Sequence, residues 1–201
     1  MTQHIPLVLV CALLSIGARG DLLHADADWR SRTFAGETRY TWHKDDEGEY
    51  VCGNAAGTAS ARLRAVSVDL AETPLLRWRW RAPHTRPDLP QRTRSGDDFP
   101  ARVYVVSRAG FRVRTLAFVW AHAPESAPWP NPFDPDTVVI PLRHGDEPGW
   151  QSESVNLVEA LAAHFDIESP SQLGVGFMTD GDNSGSTLSG CYRDLGFHAA
   201  D

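Results

Sequence analysis

Two short acidic stretches hold the residues best suited to chemistry. Gly96-Asp97-Asp98-Phe99-Pro100-Ala101-Arg102 sets adjacent carboxylates at the start of an apolar run, and Arg102 and Tyr104 follow at alternate positions. On a strand that is regular from Asp98, the side chains of Asp98, Arg102 and Tyr104 share one face. Such a face offers an acid, a fork-shaped donor and an aromatic hydroxyl, the groups that read sugar hydroxyls or a carboxylate. The same residues equally make a turn acid and a buried Asp-Arg pair that orders the strand, and Arg77, Arg79 and Arg81 are candidate partners in either arrangement.

The second stretch is Thr179-Asp180-Gly181-Asp182-Asn183-Ser184-Gly185. Asp180, Asp182, Ser184 and Gly185 fit the opening of a D-x-D-x-[DNS]-G calcium loop, in which alternate oxygens converge on a hard cation. The closing ligand is missing, because the twelfth position from Asp180 is Cys191 instead of Glu, which excludes an EF-hand. A partial calcium site at Asp180 and Asp182 stays open, as does a metal-free turn, since Asp, Asn and Gly suit tight backbone conformations.

Glycoside hydrolysis would need one of Asp97 or Asp98 to face Asp180 or Asp182 across a gap of ~5 Å or ~6.5 to 9.5 Å. A polysaccharide lyase would instead want a base such as Tyr104 or His122 beside Arg102. No G-x-S-x-G, H-E-x-x-H, P-loop or dinucleotide fingerprint accompanies these residues. Of the seven Trp, Trp78 and Trp80 sit in the apolar phase of their segment and read as core. Trp129, in a Pro-rich stretch, and Trp150, after Gly149, are placed either to stack on a pyranose or to pack beneath a lid.

Strands must position these groups. Leu76, Trp78 and Trp80 alternate with Arg77, Arg79 and Arg81, the period-2 signature of a half-buried strand. Residues 101–107 and 111–120 are β-branched and aromatic and are separated by Arg108-Ala109-Gly110, which predicts a hairpin. Further short strands are expected over 39–42, 60–64, 66–70, 138–142, 150–155, 174–178 and 191–197. Their number and spacing predict an all-β fold, an antiparallel sandwich or jelly roll of galactose-binding-like or concanavalin-like type. The one helical pattern spans 156–165, with Leu157, Leu161 and Phe165 on one stripe and Asn156 as its cap. Two long irregular stretches, 82–96 and 121–137, flank the strongest strands and could rim a site.

Residues 1–20 read as a signal peptide: an uncharged apolar run from Ile5 to Gly17, then Ala18-Arg19-Gly20, although Met1-Thr2-Gln3-His4 lacks the usual positive charge. Residues 21–201 then form a single domain, periplasmic or secreted, and no later segment is long and apolar enough to span a membrane. Loss of Arg19 leaves 18 basic against 26 acidic residues, so the net charge moves from -7 to -8 and disfavours nucleic acid as a partner. Cys52 and Cys191 survive cleavage, and in an oxidising compartment an even pair reads most simply as a disulfide, with two buried thiols as the alternative.

Several segments together resemble the bacterial domain-of-unknown-function family 3047: LAETPLLRWRW from Leu70, GDDFPARVYVV from Gly96, FVWAH from Phe118, WQSESVN from Trp150, GVGFMTDGDN from Gly174 and YRDLGF from Tyr192. Ser184 departs from the Thr expected there. The resemblance implies an exported sandwich similar to carbohydrate-binding modules and implies no activity. The expected function is accordingly glycan binding around Asp97, Asp98, Arg102, Tyr104, Trp129, Trp150, Asp180, Asp182 and Asn183, with catalytic residues unknown and calcium as the one possible cofactor. A polysaccharide hydrolase or lyase and a structural envelope protein are the alternatives.

Overall fold

The computed structural model describes residues 20–125 and 127–200. The signal segment expected over 1–20 lies, but for Gly20, outside the described residues. Twelve strands and one helix follow in the order β1 (Arg30–Ala35), β2 (Arg39–Asp45), β3 (Gly48–Ala56), β4 (Ala59–Val66), β5 (Leu75–Arg81), β6 (Ala101–Ala109), β7 (Arg112–Ala121), β8 (Trp129–Pro130), β9 (Thr137–His144), β10 (Gln151–Asn156), α1 (Leu157–Phe165), β11 (Gln172–Asp180) and β12 (Thr187–His198). They form a seven-stranded sheet, β1-β4-β11-β6-β7-β9-β8, and a five-stranded sheet, β10-β5-β12-β3-β2.

The sheets make a sandwich because apolar side chains of β5 and β12 in one and of β6, β7 and β11 in the other turn onto a shared core. Trp78 and Trp80 of β5 point inward and meet Phe118 and Trp120 of β7, with ring centroids 5.5 and 5.7 Å apart. Phe177 of β11 fills the same core against Tyr192 of β12, at 5.1 Å. Burying aromatic side chains of this size contributes about 1.5–3 kcal/mol each. The core tolerates little added volume where the sheets approach: a Cβ on Gly190 of β12 would stand 2.1 Å from the Pro100 carbonyl oxygen.

The expected hairpin is β6 and β7, turning at Gly110 with φ 61°, and leaves Phe111 exposed. Asn156 caps α1 as expected, accepting from the backbone N–H groups of Val158 and Glu159. Three features differ from the sequence reading. β1, β3 and the two-residue β8 are not among the expected strands: β1 is an edge strand of mostly exposed polar residues, β3 carries Gly53, Asn54 and Ala55, which lower its β propensity, and β8 lies inside the stretch read as irregular. The strand expected over 66–70 ends at Val66, where β4 stops. The sandwich is not wholly antiparallel, because β7 and β9 pair in parallel. The irregular segment between them carries the chain back across one end, the long crossover that parallel neighbours require.

Cys52 and Cys191 face each other across β3 and β12 and are joined by a disulfide, Cα atoms 4.0 Å apart. Among the described residues no helix is long and apolar enough to cross a membrane. The disulfide is compatible with an exported protein.

Candidate functional site

The two acidic stretches meet on the outer side of the seven-stranded sheet. Val103 and Phe177 of β6 and β11 point into the core, so their neighbours Arg102, Met178 and Asp180 point the other way. Arg102 lies at the centre, only 2% exposed. Its Nε donates to Asp180 Oδ1 at 2.8 Å, a second N–H reaches Asp180 Oδ2, and the remaining terminal nitrogen stands 3.4 Å from Asp97 Oδ1. The guanidinium also donates to the Asp97 carbonyl and lies over the Phe99 ring, 4.5 Å from its centroid. Asp97 accepts a further bond from Asn131 Nδ2 at 2.9 Å.

Asp98 is fully buried and saturated. Its Oδ1 accepts from Asn183 N and Nδ2, both at 3.1 Å, and its Oδ2 accepts from Ser184 N at 2.7 Å and from the Ser184 hydroxyl. The hydroxyl expected to be Thr at position 184 is thus a fastener for Asp98. His122 Nδ1 accepts the Arg86 N–H at 3.0 Å, so Nε2 carries the proton and donates to the Asp98 carbonyl at 2.8 Å. Burial holds His122 below its ordinary pKa and keeps it neutral. Its ring stacks on Phe99, with centroids 5.6 Å apart. Gln91 Oε1 accepts from His122 N at 2.8 Å. The hub therefore ties down 82–96, 121–137 and 181–186 at one place.

Two carboxylates, Asp97 and Asp180, share a single guanidinium, and with Asp98 buried beside them the excess negative charge sits out of water. Burial, reinforced by Asp97 and Asp98, pushes Asp180 up to about 7 against the pull of Arg102. Burial likewise raises Asp97 and Asp182. Asp98, Asp180 and Asp182 each bring one oxygen within 4.8 Å of the others, so among the described residues they are the group placed to hold a cation. Asp98 and Asp180, however, already spend their oxygens on protein donors, and a cation there would compete with Arg102. Asp182 is the least engaged, with only Asn183 Nδ2 at 3.4 Å.

The other predicted residues scatter. Tyr104 is half-buried beside the hub, its hydroxyl 3.5 Å from Met178 Sδ. Trp129 is buried against Phe99, with Arg92 over its ring at 5.4 Å, so it presents no open face to a sugar. Trp150 lies on the opposite side of the molecule, and so do Arg77, Arg79 and Arg81, which are not partners of the hub.

That opposite side is the outer face of the five-stranded sheet. β5 turns its arginines outward because its Leu and Trp phase faces the core. Trp150 carries two guanidinium groups, Arg81 at 4.7 Å and Arg193 at 5.0 Å from its centroid, and meets Tyr50 edge-on at 5.5 Å. Tyr50 stacks on His43 at 5.0 Å. Arg193 is fully buried beneath this layer and is held by Asp45 at 2.9 and 3.1 Å. Arg79 bonds Glu47 at 2.7 Å and pairs with Asp194. Two grooves open here: one of about 610 Å³ beside Arg81, Gly149 and Cys191, and one of about 660 Å³ beside Arg77, Arg79 and Asp194. Neither is lined by Asp97, Asp98, Arg102, Asp180 or Asp182. Tyr50 and Arg193 escaped the sequence reading; the phase of β3, once recognised as a strand, would have put Tyr50 on the same face as Cys52.

Sheet order and layering define a protein of the β-sandwich class shared with carbohydrate-binding modules. The family 30 carbohydrate-binding module of a cellulosomal cellulase of Clostridium thermocellum superposes with a TM-score of 0.52 at 9% identity, covering 92% of this chain and 96% of that one. A family 4 carbohydrate-binding module gives 0.39 at 9% identity, covering 90% and 94%. A protein from a xyloglucan utilization locus of Bacteroides uniformis gives 0.41 at 10% identity, covering 89% and 49%. The comparison with curated proteins found no match. The chain belongs to the family described as protein of unknown function, DUF3047, whose profile matches residues 27–196.

Proposed function

We infer that this chain is an exported glycan-binding sandwich and that it takes its ligand on the outer face of the five-stranded sheet. The observation that carries this reading is the half-buried layer of Trp150, Tyr50 and Arg81, with Arg81 lining one of the two grooves, on a sandwich of carbohydrate-binding-module layout. Aromatic and guanidinium groups held rigid by one another lose little freedom on binding. Asp97, Asp98, Arg102, Asp180 and Asn183 serve in this reading as the fastener of the loops, not as ligand contacts. A hydrolytic pair among them would need an open gap, and their carboxylates are instead turned onto Arg102, Asn183 and Ser184. Export rests on the signal segment read from the sequence and on the disulfide.

A glycan array followed by titration calorimetry tests the reading, with Trp150→Ala as the variant. We expect at least one glycan to bind, and Trp150→Ala to weaken it roughly tenfold or more while the unfolding midpoint holds. Absence of binding across plant, microbial and envelope glycans sinks the proposal. We expect chelation to leave binding unchanged, because Arg102 already supplies positive charge among the carboxylates. A lower thermal midpoint on chelation, restored by calcium, would instead assign a cation to Asp180 and Asp182.

A further inference from the structure

The arginines of the outer face are not equivalent. Arg193 is locked to Asp45 and Arg79 to Glu47 and Asp194, while Arg77 Nε donates to Ser154 Oγ at 3.3 Å. Arg81 differs. Its contacts are the rings of Trp150 at 4.7 Å and Tyr50 at 5.5 Å, and among the described residues its guanidinium has no hydrogen bond or ion pair. Cation–π packing leaves the edge of a guanidinium free, so the planar fork of donors stays available. This fork borders the groove of about 610 Å³, where Ser189 and Gly149 also stand.

The acids of that groove do not quench it. Asp146 accepts from Thr85 N at 2.7 Å and Thr85 Oγ1 at 2.8 Å, and Glu147 lies 3.5 Å from Arg143. Trp150 already carries two guanidiniums, so the fork of Arg81, more than a bare ring face, is what the layer offers a ligand. A pre-oriented, unpaired fork matches a carboxylate in bidentate geometry. From this we propose that the protein's glycan is acidic, a uronate-containing polysaccharide whose carboxylate is read by Arg81. The proposal rests on the glycan-binding reading and names the substrate class of the same face.

Affinity electrophoresis in gels containing polygalacturonate, its methyl-esterified form, a neutral β-glucan or polyglutamate tests it. The esterified polymer keeps the sugar and loses the charge, whereas polyglutamate keeps the charge and loses the sugar. We expect polygalacturonate to retard the protein roughly tenfold more than the other three. Arg81→Met should erase that preference with the unfolding midpoint unchanged, and Arg81→Lys, which keeps the charge without the fork, should lose most of it. The net charge of the mature chain, -8, works against non-specific capture by a polyanion. Equal retardation by the free, esterified and neutral glycans overturns the uronate assignment and leaves the glycan reading intact. Full retention by Arg81→Lys overturns the role of the fork. Retardation by polyglutamate as strong as by polygalacturonate, or no retardation by polygalacturonate, likewise overturns the uronate assignment, while the glycan array alone decides the glycan reading.

Discussion

The two outer faces of this sandwich carry similar side chains and put them to opposite uses. On the seven-stranded sheet, Arg102 is 2% exposed, and carboxylates, an Asn and a His converge around it until almost every donor and acceptor is taken. On the five-stranded sheet, Arg81 rests on aromatic rings with its fork unpaired. The difference comes from what covers each face. Two long loops fold over the first, and excluded water makes unmet polar groups expensive, so the chain supplies partners for them. Among the described residues no such loop covers the second, and solvent is free to satisfy the Arg81 fork.

Several changes break or sharpen this contrast. Replacing Arg102 with Met should have the largest effect, destabilising the fold by about 3–5 kcal/mol in denaturant unfolding, because it leaves buried carboxylates without their cation. Replacing both Cys52 and Cys191 with Ser should cost about 3–5 kcal/mol, since the bridge closes a loop with a sequence separation of 139. Gly190→Ala should cost about 1–3 kcal/mol, as its Cβ meets the Pro100 carbonyl.

The smallest effect is a pH slope. Asp180 stands near 7 in the fold against 3.8 unfolded, so between about pH 4 and 7 the native state binds more protons than the unfolded chain. Stability is therefore lost as pH rises through that window, and Asp97 and Asp182 act in the same direction. His122, lowered by burial, opposes it by favouring the fold above its depressed pKa. Burial raises Asp21 as well, so with four acids against one imidazole the thermal midpoint should be higher at pH 5 than at pH 8. Asp180→Asn should flatten the difference.

Much of the layout is legible in the sequence because strand phase is. The Leu-Trp-Trp alternation of β5 and the β6–β7 hairpin announce themselves, and the cap of α1 follows from one Asn. Gly53 and Asn54 hide β3, and with it Tyr50, because local propensity speaks against a strand that is held by pairing on both sides. The convergence of Asp98, Arg102 and Asp180 is also foreshadowed, yet their burial is not, since the loops that cover them lack periodicity. Trp129 and Trp150 look alike in sequence, each beside Pro or Gly. Trp129 is buried against Phe99, while Trp150 opens outward at the foot of β10, a distinction made only by tertiary packing.

Glycan binding on the five-stranded sheet, as proposed, requires that this face and not the acidic hub respond to ligand. Amide hydrogen exchange with and without an oligogalacturonate reads this directly. Added protection is expected in β10, in the Tyr50 region of β3 and around Cys191 and Arg193 of β12, with residues 96–102 and 180–186 unchanged. Protection confined to 96–102 and 180–186 would contradict it and return the ligand to the acidic hub.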